Sequence, residues 1–201
     1  MEIHECEQRS EEWHALRIGR VTGTKIKEMV TARAPGFETL CRKVAAEKIT
    51  GVSCEKEFRI SEAMQWGIDT EDEARREYEI ETMASVREVG FISTGDLWGC
   101  SPDGLVGKSG MVEIKCPLAH THLGYLCNPG LLSKSYEWQI YGQMWVYGAT
   151  WVDIVSYCPS FQEGKRLLIE KVIRDSEKTM KIELAAQKLS SRVDELMEMA
   201  K

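Results

Sequence analysis

In Gly110-Met111-Val112-Glu113-Ile114-Lys115-Cys116 apolar and polar positions alternate like a strand that ends at Pro117. Glu113 and Lys115, two residues apart, therefore project from one face, while Val112 and Ile114 point the other way into a core. A carboxylate and an ammonium side by side on a rigid strand suit metal-dependent hydrolysis. Asp103 stands ten residues upstream in the turn Ser101-Pro102-Asp103-Gly104. A hairpin with its loop at Val106–Ser109 would fold it back beside Glu113. Asp103, Glu113 and the Ile114 carbonyl would then form a hard oxygen site suited to Mg²⁺ or Mn²⁺. Such an ion lowers the pKa of bound water and neutralises charge growing on a phosphate. Lys115 would orient or deprotonate the water, or offset that charge. Taken alone, the same spacing also describes a surface Glu/Lys pair on an edge strand. The Pro-Asp-Gly turn and the apolar bracket around Glu113 favour the chemical reading.

Two further groups converge on this strand. Glu71 lies four residues after Gly67 on one helical face, and the small Gly67 would let that face approach another backbone closely. Glu71 is then an extra carboxylate near the ion. Gln139 and Gln143 share a face in the same way and could hold a phosphate or the attacking water. Cys116, His120, His122 and Cys127 crowd four metal-ligating side chains into twelve residues. Their H-x-H arrangement departs from the paired C-x2-4-C or H-x3-5-H spacing of structural zinc, which argues against that metal.

The elements that must position these residues follow from capping and periodicity. Ser10 caps a short helix through Trp13, and helices follow over 22–31 and 37–50, the latter ended by Gly51. A long helix runs from Glu62 to Thr82. Val86–Ile92, Leu97–Cys100 and Gly110–Cys116 read as a three-strand meander. A helix over Ser135–Tyr147, strands over Trp151–Tyr157 and Arg166–Ile173, and an amphipathic helix over Asp175–Met199 complete the pattern. Helices, meander, crossover helix and two more strands predict a mixed-sheet α/β fold. No repeat or linker divides residues 1–201, so one domain is expected.

Composition narrows the class. The chain has 201 residues, 43% hydrophobic and 29% charged, which excludes collagen, extended disorder and a disulfide scaffold. No apolar run approaches a membrane span, so no membrane partner and a cytoplasmic location are expected. Seven cysteines without a C-x-x-C fit reduced thiols. The net charge of −6 is unevenly spread. Arg17–Ile60 holds ten Lys/Arg against five Glu, whereas Glu62–Glu81 holds eight Asp/Glu against two Arg. A basic arm beside an acidic helix could set phosphate contacts next to metal-collecting carboxylates, although two solvated helix faces show the same pattern.

The motifs Trp13-His14-x-x-Arg17-x-Gly19, Thr22-Gly23-Thr24, Trp66-Gly67-x-x-x-Glu71-x-x-Ala74-Arg75, Cys100-Ser101-Pro102-Asp103-Gly104-Leu105 and Glu113-Ile114-Lys115-Cys116-Pro117, followed by Gln139, occur in that order. Together they resemble the lambda-type phage exonucleases, the YqaJ-like viral recombinase group of the PD-(D/E)xK nuclease superfamily. The resemblance implies an α/β fold of the restriction-endonuclease-like kind, a mixed central sheet flanked by helices. It implies a Mg²⁺-dependent 5′→3′ exonuclease on linear double-stranded DNA. It also implies a ring-shaped homotrimer and a single-strand annealing protein as partner. By position, Asp103, Glu113 and Ile114 would bind metal with Glu71 in support, Lys115 would activate water and Gln139 would assist. Arg17, Thr24 and Ser101 match the family's pocket for the 5′ phosphate, with threonine standing at 24 where serine is common. Met64 matches an apolar wedge between terminal bases. The competing readings are another PD-(D/E)xK repair or Cas4-like nuclease, the latter expected to carry cluster-binding cysteines that are missing here, and a non-catalytic DNA-binding adaptor.

Overall fold

A computed structural model describes residues 1–55 and 61–201, and the backbone but not the side chain of Thr24. Two mixed sheets form the frame. The smaller has the order β1-β4-β5-β2, from β1 (Glu2–His4), β2 (Val21–Thr22), β4 (Phe91–Thr94) and β5 (Trp98–Cys100). The larger has the order β3-β6-β7-β8-β9, from β3 (Val86–Arg87), β6 (Gly104–Val106), β7 (Gly110–Lys115), β8 (Trp151–Tyr157) and β9 (Leu167–Ile173). β7 and β8 run parallel and the other pairs of this sheet are antiparallel.

Among the described residues eight helices cover these sheets: α1 (Glu11–Arg17), α2 (Gly23–Thr31), α3 (Ala34–Thr50), α4 (Glu62–Thr82), α5 (Ala119–Cys127), α6 (Leu131–Ser135), α7 (Glu137–Tyr147) and α8 (Ser176–Met199). The expected caps are present. Ser10 accepts the Trp13 N–H at 3.2 Å, and Gly51 closes α3 at φ 68°. Among the described residues no helix is long and apolar enough to cross a membrane.

Strand alternation sends the two faces of β7 to different cores. Val112 and Ile114 join Val155 and Tyr157 against Ala74 and Tyr78 of α4. Met111, with Val152 and Ile154, joins the larger core of Ile26, Leu40, Val44, Ile140, Met144, Ile182 and Leu189 from α2, α3, α7 and α8. The Tyr78 hydroxyl donates to Asp153 at 2.8 Å and pins α4 to β8. Arg192 binds Glu38 through two donors at 2.9 and 3.0 Å and ties α8 to α3.

Three expectations need correction. Val86–Ile92 is two strands in different sheets, β3 and the start of β4. The chain turns away at Gly90, where a Cβ would lie 1.9 Å from the Cys6 carbonyl oxygen, and the Gly90 N–H donates to His4. The helix expected from Ser135 is two, α6 and α7, broken at Tyr136. Helix α5 and the short strands β1 and β2 form in segments whose spacing carries no helical or alternating signal.

Candidate active site

The site is built on the β6–β7 hairpin. Gly104 pairs with Val112 at the end of the ladder, and the antiparallel register continued by one residue sets Asp103 opposite Glu113. Gly104 lets β3 close over this point, because a Cβ there would come 2.1 Å from Val86. The Ile114 N–H donates to Asp103 Oδ2 at 2.6 Å, which ties one carboxylate to the strand that carries the other.

Glu113 is buried and held by three donors. Lys115 Nζ and Gln139 Nε2 each reach its Oε1 at 2.5 Å, and Gln143 Nε2 reaches Oε2 at 2.7 Å. The two glutamines stand one turn apart on α7, which lies close to α2 because residue 142 is glycine; a Cβ there would overlap Ile26 at 2.5 Å. Lys115 Nζ also sits 4.9 Å from the centre of the Tyr136 ring. Gln143 thus serves Glu113 directly, a role its spacing from Gln139 signalled without naming the partner.

Electrostatics set the protonation states. Burial holds the Asp103 carboxyl well above the usual carboxylate range, and the charges of Glu113 and Glu71 push the same way against Lys115 and the Ile114 N–H. Burial disfavours the Lys115 ammonium, yet Glu113 and Asp103 outweigh it and raise its pKa. Burial, aided by Glu71 and Asp103, pushes the Cys116 thiol up to about 12, so it stays protonated and is no nucleophile at neutral pH. Carboxylates such as Asp103 and Glu113 are the oxygen donors that a hard divalent cation takes. Among the described residues no three His, Cys, Asp or Glu side chains are spaced to hold an ion, so side chains would supply the Asp103–Glu113 pair and backbone the rest.

Glu71 stands on α4 at the side of Asp103. Its carboxylate accepts from Arg75 at 3.2 Å and from Arg9 at 3.4 Å. Glu71, Asp103, Arg9 and Arg75 line one cavity of about 560 Å³. The role expected of Gly67 is not seen: among the described residues a Cβ there would meet no atom within 4 Å, so the helix makes no close approach to them at that point.

Arg17 and Ser101 meet on either side of one indole. The Arg17 guanidinium lies 4.0 Å from the Trp13 ring centre, and Trp13 Nε1 donates to Ser101 Oγ at 2.8 Å. Trp13 is the link that sequence reasoning did not name. Burial lowers the Arg17 pKa, opposed by Glu55. Arg17 lines a second cavity, about 350 Å³, with His14 and Lys25. Thr24 lies in the first turn of α2, and its side chain is outside the described residues. Met64, in the first turn of α4, is 41% exposed beside half-exposed Trp66. His122, one of the four metal-ligating side chains between Cys116 and Cys127, is buried, with its ring nitrogens 2.7 Å from Ser156 Oγ and 2.9 Å from the Lys165 carbonyl.

Residues 12–150 match the YqaJ-like viral recombinase domain. The chain belongs to this family. The YqaJ-like span contains Arg17, Glu71, Asp103, Glu113, Lys115, Gln139 and Gln143, and Arg9 lies outside it. Among solved structures, the chain is 31% identical to an alkaline exonuclease from Laribacter hongkongensis, with a TM-score of 0.78 over 95% of this chain and 98% of that one. The same enzyme in complex with dAMP gives a TM-score of 0.77 at 31% identity, with the same coverage. A phage-related exonuclease from Haemophilus somnus shares the fold at 13% identity, with a TM-score of 0.73 over 90% of this chain and 96% of that one. Comparison with curated proteins gives no match.

Proposed function

We propose that this chain is a metal-dependent exonuclease that degrades one strand of linear double-stranded DNA from its 5′ end and leaves 3′ single-stranded overhangs for recombination by strand annealing. The observation that carries the reading is the Asp103–Glu113 pair across the β6–β7 ladder, with Lys115 Nζ 2.5 Å from Glu113. The Laribacter enzyme is an alkaline exonuclease that binds dAMP, a mononucleotide of the kind that stepwise DNA hydrolysis releases. A non-catalytic adaptor has no use for two opposed carboxylates held in this way.

Asp103, Glu113 and the Ile114 carbonyl would hold Mg²⁺ or Mn²⁺. When bound, the ion supplies an acidified water and neutralises charge on the scissile phosphate. Gln139 and Gln143 hold both oxygens of Glu113 in place, so the carboxylate does not reorganise during the reaction. Lys115 carries its proton beside Glu113, which suits it to offset charge on the phosphate. It can take a proton from water only once the charge of Glu113 is neutralised. Glu71 supports the Asp103 side. Arg17, with Thr24 and Ser101, would receive the 5′-terminal phosphate in a forked guanidinium contact, and Met64 would wedge the terminal base pair. A ring-shaped homotrimer and delivery of the 3′ strand to a single-strand annealing protein complete the proposal.

Linear duplexes labelled at either 5′ or 3′ ends, incubated with and without Mg²⁺, test it. The 5′ label should leave first, as mononucleotide, and only with the metal. Release of the 3′ label first, metal-free cleavage, or full activity in Glu113→Ala would overturn the reading.

A further inference from the structure

Residues Glu7–Ser10 form a tight turn that sits beside the cavity of Asp103. The Ser10 N–H donates to the Glu7 carbonyl at 3.2 Å, and Arg9, the third residue of the turn, has φ 73°. That position calls for glycine or asparagine, because a side chain crowds the following carbonyl in the left-handed region. Apart from Met83, Arg9 is the one non-glycine residue with positive φ among the described residues. The turn is clamped in place. Gln8 Nε2 donates to the carbonyls of Val89 and Pro102, both at 3.1 Å, so the turn is fixed to the residue just before Asp103. Strain held by such a clamp marks a position where the side chain is needed.

The guanidinium faces an acidic surface. The cavity wall includes Glu5, Glu7, Glu71, Asp72, Glu88 and Asp103. Its other cation, Arg75, is taken up by Glu71, Asp72 and Glu88 at 3.2, 2.8 and 3.2 Å. Among the described residues Arg9 makes one long contact, 3.4 Å to Glu71, and its side chain is 48% exposed. A guanidinium has five donors in a fixed fork, so most of its capacity is open to the cavity. We propose that Arg9 is a phosphate-binding residue of the cleavage groove, receiving a backbone phosphate of the strand that passes Asp103. This rests on the reading of Asp103 and Glu113 as the centre of a nuclease. An anion is drawn to this groove by Arg9 and repelled by its carboxylates, while the charge of Arg75 is spent on its own ion pairs, so removal of Arg9 is felt directly.

Arg9→Gly separates ligand binding from folding, because glycine relieves the left-handed backbone while removing the guanidinium. Binding of a linear duplex in EDTA, followed by fluorescence anisotropy across a salt series, should show the slope of log affinity against log salt reduced by about one phosphate contact. The melting temperature should equal or exceed that of the wild type. Arg9→Lys should restore the slope. In Mg²⁺, Arg9→Gly should raise KM about tenfold with kcat within about twofold. A wild-type salt slope and KM in Arg9→Gly would overturn the inference and leave Arg9 as a partner of Glu71 alone, with the nuclease reading intact. A reduced slope in a protein that never cleaves would uphold the phosphate contact and reject the nuclease.

Discussion

Asp103→Asn should make the protein more stable and inactive at once. Asp103 faces Glu113 as a cross-strand neighbour, and such neighbours lie about 5 Å apart. Two unit charges at that separation repel by about 3 kcal/mol at an effective dielectric constant of 20. The Lys115 ammonium, near both carboxylates, cancels part of this. Asparagine keeps an oxygen to accept the Ile114 N–H and fills the same volume, so no hydrogen bond is lost. The net gain should be about 1–2 kcal/mol, and about 2–4 °C in Tm for each kcal/mol in a domain of this size. The effect has a definite pH dependence. The folded pKa of Asp103 is raised, so the folded state binds the extra proton and wild-type stability falls as pH rises from the ordinary carboxylate range to the raised value. The advantage of asparagine is therefore full above that window and fades as pH drops through it. Thermal unfolding in EDTA from pH 4 to pH 9 measures this. Addition of Mg²⁺ at about a hundred times its Kd should then stabilise the wild type by about 2.7 kcal/mol and leave the variant unmoved. A variant that melts below the wild type at the alkaline end of the series, or that gains equally from Mg²⁺, would refute the placement of two carboxylates around one cation site.

Lys115→Arg should lower the rate of end-labelled duplex digestion by about 10²-fold with DNA affinity little changed, since a planar guanidinium cannot replace a compact ammonium that exchanges a proton; full activity would reduce Lys115 to a phosphate contact. Gln143→Leu removes a hydrogen bond to Glu113, which costs about 1.5–3 kcal/mol, but also removes an Oε1 that is buried without a partner, a penalty of about 1–3 kcal/mol. Its urea midpoint should stay near the wild-type value while kcat falls about tenfold or more, and a large loss of stability with normal kcat would show a purely structural role. Arg17→Ala should slow digestion of 5′-phosphorylated ends strongly and of 5′-hydroxyl ends hardly at all; a retained preference for phosphate would show that another group reads the terminus.

Much of the site was legible because its parts are local. The two-residue period of a strand puts Glu113 and Lys115 on one face whatever surrounds them, and a Pro-Asp-Gly turn followed by a short loop returns Asp103 to the same level. Helices α1 and α3 announce themselves through Ser10 and Gly51, whose capping geometry depends on adjacent residues. The order of the motifs was enough to resemble the family to which the chain belongs.

Other features depend on residues far apart in the chain, and sequence spacing carries no record of them. The division of Val86–Ile92 between two sheets follows from Cys6 packing against Gly90, across more than eighty residues. The opposite surprise occurs at Gly67, where a small residue that invites close packing meets none of the described residues. Gln143 reads as a polar residue one turn from Gln139, and only the packing of α7 on α2 through Gly142 and Ile26 aims it at Glu113. Trp13 becomes the bridge between Arg17 and Ser101 only after α1 docks beside the turn at Ser101, 88 positions away. Arg9 is the sharpest case. In the sequence it is one arginine among acidic neighbours, while the fold gives it a left-handed backbone, a glutamine clamp and a place beside Asp103. The local code of periodicity and capping determined most of the elements and the hairpin that carries Asp103 and Glu113. Burial and long-range contact decided which charges face one another, because Coulomb and hydrogen-bond energies follow distance in space and not distance along the chain.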